Sequence, residues 1–109
     1  MKPTVITSLQ NERIKAIRAL EMRKERKATG LFVAEGAAIL VTARDQGWQP
    51  VTLLGRADAM QEGIARGLVA WAEAADADVL EVTEAVLGKL AAKDNPQSLL
   101  AVFEQRLAA

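Results

Sequence analysis

The sequence predicts an α/β domain: a three-layer α/β/α sandwich built on a mainly parallel four-stranded sheet. Three observations carry that expectation. Short apolar runs recur at 31–34, 51–54, 79–82 and 99–103, as buried strands do. Stretches with apolar residues at helical spacing separate them, the alternation that places helices on both faces of a sheet. At 109 residues the chain has the length of one domain, enough to bury a single core without a metal or disulfide, so 1–109 is read as one unit.

Each element has a local reason. Thr7 and Ser8 are candidate N-caps. Behind them Leu9, Ile14, Ile17 and Leu20 share one side of a helix. Asn11, Lys15, Arg18, Met22 and Arg26 form a second stripe on the opposite side, and Arg13 sits near the apolar arc. The pattern weakens after Leu20, so a break or a second short turn is expected before Gly30, a natural helix stop. The strand at 31–34 lies between Gly30 and Gly36. A helix over 37–46 then buries Ala37, Leu40 and Val41 and ends at Gly47. After the strand at 51–54, residues 55–61 read as a loop, and a helix over 60–75 carries Ile64, Leu68 and Trp71. Beyond the strand at 79–82, Thr83 caps a short helix with Val86, Leu87 and Leu90. Residues 93–97 form a turn-rich loop before the last strand. The end, 104–109, reads as a cut made just past a core strand.

Composition excludes several chemistries. Cysteine and histidine are absent, which removes disulfides, thiolate zinc sites, a thiol nucleophile and an imidazole base. No apolar run is long enough for a signal peptide or a membrane span, so no membrane partner and a cytoplasmic address are expected. The zero formal net charge hides an asymmetry. Residues 1–30 hold eight basic against three acidic residues, and the remainder holds six against eleven. Charge alone leaves open whether the basic segment faces a polyanion or is a solvated helix face.

No P-loop or dinucleotide fingerprint is present, and the glycines at 30, 36, 47 and 55 read as punctuation between elements. Serine occurs only at 8 and 98, and no histidine-based triad can be built. Asp76, Asp78, Glu81 and Glu84 are read as a solvated edge rather than a cation site. Glu35 before Gly36 has two readings. Glu35 stabilises the positive end of the next helix, the favoured one, or it is a strand-end carboxylate where α/β sheets bind ligands. The basic stripe carries the most chemistry. Lys15, Arg18, Arg23 and Arg26 supply charge and donors to phosphate, and Asn11 and Gln97 supply hydrogen bonds to sugars or base edges. With so few aromatic residues a stacking platform is not expected, and Trp48 and Trp71 read as packing.

These residues also carry a resemblance. Ser8, Asn11, Ile14 and Lys15, then Arg26, then the run Gly30-Leu31-Phe32-Val33-Ala34-Glu35-Gly36 resemble the N-terminal substrate-binding domain of SpoU-type (TrmH-family) RNA 2′-O-ribose methyltransferases. Val82-Thr83, Val86-Leu87, Leu90, Pro96-Gln97 and Ala101-Val102 come next in the same order. The resemblance covers essentially the whole chain, with Phe32 to Gly36 its most specific part. It implies a fold like that of ribosomal protein L30e and a domain that grips RNA, ribosomal RNA ahead of transfer RNA. The implied RNA-contacting residues are Asn11, Lys15, Arg18, Arg23 and Arg26, with Glu35 and Gln97 in lesser roles. It further implies a knotted catalytic domain, absent from this chain, that binds S-adenosylmethionine and forms a homodimer. No catalytic residue, cofactor or metal is therefore expected within 1–109. Ser98 departs from the pattern, where glycine comes after the Pro-Gln pair. The alternatives are a free-standing L30e-like ribonucleoprotein component without enzymatic activity, and a module whose basic helix binds an acidic protein.

Overall fold

Five strands form one sheet in the order β1-β4-β3-β5-β2 in this computed structural model, which describes residues 4–8, 10–61, 63–90 and 99–104. The strands are β1 (Thr4–Ile6), β2 (Leu31–Glu35), β3 (Pro50–Gly55), β4 (Asp78–Val82) and β5 (Leu99–Glu104). The helices are α1 (Glu12–Ala19), α2 (Arg23–Thr29), α3 (Ala37–Asp45), α4 (Ala57–Met60), α5 (Gly63–Ala74) and α6 (Glu84–Leu90). β4 pairs in parallel with β1 and with β3, whereas β5 runs antiparallel to both of its neighbours, β3 and β2.

The expected sheet therefore needs two corrections. It has five strands, not four, and it is mixed, not mainly parallel. β1 escapes the sequence pattern because it is three residues long and only Ile6 is buried. The direction of β5 escapes it because an apolar run reports burial, and burial is the same for either direction. Leu99 to Phe103 are all buried, since β5 lies between two strands and under helices on both faces.

Three layers result from strand alternation, which sends successive side chains to opposite faces. Leu54, Leu80, Leu100 and Val102 point to one face, where Ile14, Ile17 and Leu20 of the α1 region and Val86, Leu87 and Leu90 of α6 cover them. Leu53, Val79, Ala101 and Phe103 point to the other, against Leu40 of α3, Met60 of α4, and Leu68 and Ala72 of α5. Phe103 centres an aromatic group on that second face. Its ring lies 5.8 Å from Phe32, 5.9 Å from Trp48 and 6.0 Å from Trp71, so both tryptophans do pack.

Several boundaries shift for local reasons. Residues 57–60, expected within a loop, form the short α4, which buries Met60. Of Ile64, Leu68 and Trp71, read at helical spacing, Ile64 is 63% exposed, and Leu68 with Ala72 forms the buried side of α5. Thr83 does cap α6, its hydroxyl oxygen accepting from the Val86 N–H at 3.2 Å. Leu9 and the 93–97 loop lie outside the described residues.

Candidate nucleic-acid interface

The basic segment is not one helix. α1 ends at Ala19, the chain turns through Leu20 and Glu21, and Met22 is extended (φ −87°, ψ 129°) as N-cap of α2. The break falls where the apolar pattern weakens, but the segment beyond it is a two-turn helix. The stripe running from Asn11 to Arg26 is consequently divided, and its members do different things.

Asn11 is the N-cap of α1, in place of Thr7 or Ser8. Its side-chain oxygen accepts from the Arg13 N–H at 2.9 Å, satisfying one of the donors that a helix start leaves open. Arg26 turns back from α2. Its Nη1 donates to the carbonyl oxygens of Leu20 and Glu21, both at 2.8 Å, tying the two helices together across the break. Lys15, Arg18 and Arg23 are exposed, and among the described residues none of the three forms an ion pair. Lys15 and Arg18 flank a shallow depression with Ala19, Glu21 and Met22. Arg13 leans toward the sheet, 3.9 Å from Asp78.

α2 ends where Gly30 takes a left-handed conformation (φ 71°) and donates its N–H to the Arg26 carbonyl at 2.9 Å. That turn feeds β2, an edge strand. Leu31 and Val33 pack toward α1 and α6, and Phe32 and Ala34 toward α3. Glu35 continues the first set. Its side chain lines a cavity of about 580 Å³ bounded by Ile17, Leu20, Val33 and Leu90. Arg26 and Glu21 complete the charged part of its wall. Glu35 thus lines the cavity while standing directly before Gly36, the N-cap of α3.

Arg26 and Glu35 are thus brought to one cavity, Lys15 and Arg18 to an adjoining depression, and Asn11 to the far end of α1. Gln97 lies outside the described residues, as does Ser98. Sequence reasoning passed over Glu21, which borders both hollows. Its signal was its place at the weakening of the helical pattern.

A second charged group sits at the carboxyl ends of β3 and β4. Arg56 donates from Nε and Nη2 to the two carboxylate oxygens of Asp58 at 3.1 and 2.8 Å, with Glu84 3.8 Å away. The hydrogen bond from Arg56 holds the Asp58 carboxyl below its ordinary pKa. The same bond raises that of Arg56. Asp76, Asp78, Glu81 and Glu84 do not converge into a metal-binding group among the described residues. No described helix is long and apolar enough to cross a membrane.

A family model described as the MRM3-like substrate binding domain matches residues 11–101. Among solved structures, an rRNA methyltransferase from Sinorhizobium meliloti is 35% identical with a TM-score of 0.85, over 99% of this chain and 39% of that one. An RNA 2′-O ribose methyltransferase is 33% identical with a TM-score of 0.78, over 94% of this chain and 38% of that one. The SpoU methyltransferase AviRb from Streptomyces viridochromogenes, in complex with AdoMet, is 25% identical with a TM-score of 0.76, over 90% and 37%. The chain thus spans about two fifths of the length of these relatives. A search of curated proteins returned no match.

Proposed function

The chain belongs to the MRM3-like substrate binding domain family, and we propose that it grips RNA for a SpoU-type (TrmH-family) 2′-O-ribose methyltransferase. The observation that carries the proposal is the exposed set Lys15, Arg18 and Arg23 on two successive helices, without an ion pair among the described residues. Cations with no carboxylate partner are free to replace counterions on a phosphate backbone. The family match favours this reading over a free-standing ribonucleoprotein component.

In this reading residues 1–109 act as the RNA substrate-binding domain, and a knotted catalytic domain belongs to the rest of the protein. That domain binds S-adenosylmethionine, supplies the methyl group's chemistry and forms the homodimer. The preferred substrate is ribosomal RNA, encountered in the cytoplasm. The likeness to L30e is supported by helices on both faces of a mixed sheet. Asn11, Arg26, Glu35 and Gln97 remain proposed RNA contacts, the first two beside their structural bonds. We assign no part of the chain to the cofactor.

The test is binding of structured ribosomal RNA fragments across a salt series. Wild type is compared with a Lys15→Ala, Arg18→Ala, Arg23→Ala variant. A steep dependence of log K on log salt is expected, flattened in the variant by about 0.7–0.9 per lost phosphate contact. Equal slopes would remove these helices from the interface.

A further inference from the structure

Met22 breaks the local rule of its position. It is the N-cap of α2, where serine, threonine, aspartate or asparagine would accept a hydrogen bond from the first turn, yet its side chain makes no capping bond. Nor does it belong to the core, being 53% exposed. Its backbone serves the joint between the helices without it. The N–H donates to the Ala19 carbonyl at 3.0 Å, and the carbonyl accepts from Glu25 and Arg26 at 3.0 and 3.1 Å. A residue that departs from local preference with no gain to the fold points to function.

We propose that the Met22 side chain is the seat of one unpaired base of the bound RNA, a deepening that rests on the RNA-gripping role above. Its surroundings select that partner. Met22 shares a shallow depression with Lys15, Arg18, Ala19 and Glu21. The half-buried Ala19 adds apolar surface beside the thioether, and two cations outweigh the one carboxylate. Arg23 and Lys24, exposed and without an ion pair among the described residues, continue the positive charge into α2. An apolar centre ringed by cations complements a ligand with a flat apolar centre and anionic flanks. An unstacked nucleotide has that form, whereas a duplex turns its base faces onto one another. The flexible, polarizable thioether packs favourably on any aromatic ring, so the contact holds a base without choosing among bases.

The probes are a hairpin RNA with a uridine loop and its stem as a blunt duplex, titrated into the 109-residue chain across a salt series. Met22→Ala should weaken hairpin binding about three- to tenfold at every salt concentration. The slope of log K against log salt should stay as in wild type, because an apolar contact displaces no counterion. Duplex binding should be unaffected. Met22→Phe should bind the hairpin at least as well as wild type. Met22→Asn should melt at a higher temperature, as a better N-cap, and lose the same hairpin affinity as the alanine variant. Undiminished hairpin binding by Met22→Ala, an equal loss for hairpin and duplex, or a flattened slope overturns the base contact and leaves the RNA-gripping role intact. Failure of the wild type to bind either RNA overturns both, and binding of polyglutamate in their place would assign the surface to an acidic protein.

Discussion

The Arg26 guanidinium donates to the carbonyl oxygen of Leu20 at 2.8 Å, so a cation on α2 closes the open end of α1. A second bond of equal length to Glu21 makes the joint two-pronged. Arg26→Ala should cost roughly 1.5–3 kcal/mol, the range for hydrogen bonds from a charged group. Arg26→Lys should recover part of it, since an ammonium keeps the charge but not the planar fork. Urea denaturation of the three proteins measures both differences.

Asn11 tests whether a polar residue on the basic stripe is structural. Asn11→Ala should lower stability by about 1 kcal/mol through loss of the bond to the Arg13 N–H, and Asn11→Asp should not. Thermal melts decide it; unchanged stability in the alanine variant would leave RNA contact as its main role.

Gly30 is required for its backbone and not for space. At φ 71° a side chain is strained although a built Cβ meets nothing within 4 Å. Gly30→Ala is expected to cost about 1–2 kcal/mol, and Gly30→Asn less, because asparagine tolerates the left-handed region. Chemical denaturation would show the order glycine, asparagine, alanine.

Asp58 makes a pH prediction. Its pKa is depressed in the folded state by the hydrogen bond from Arg56, so the stabilisation from this pair is present above the ordinary aspartate value. It is lost as pH falls through the lower, folded value. Carboxyl-carbon NMR should place the Asp58 titration below that of a free aspartate, and Arg56→Gln should return it upward. Coincident titrations in the two proteins would mean that the pair does not persist in water.

The parts of the fold that were legible are those set by burial. Ile14, Ile17 and Leu20 are buried together, as are Val86, Leu87 and Leu90, because a helix with one wet face writes its period into the sequence. Strand direction and neighbour order leave no such trace. Leu99 to Phe103 read identically whichever way β5 runs. The candidate site was legible as charge only. That Arg26 would spend its Nη1 donors on backbone carbonyls, while Arg18 formed no ion pair among the described residues, depends on the chain turn after α1, and single-residue pattern cannot aim a side chain across it. Glu35 was visible as a strand-end acid, but the face it takes is fixed by the register of β2 against β5.

The last of the five strands to be synthesised occupies the slot between β3 and β2. A nascent chain leaving the ribosome therefore carries, besides the sheet's two outer edges, the unpaired edges of β3 and β2 that await β5, until residue 104 has cleared the exit tunnel. Helices α1 to α6 can form before that moment, but the sheet cannot close. Over that interval β2 and β3 are sticky templates for stray strands, and translation speed through the codons for 99–104 and those just beyond becomes a determinant of yield.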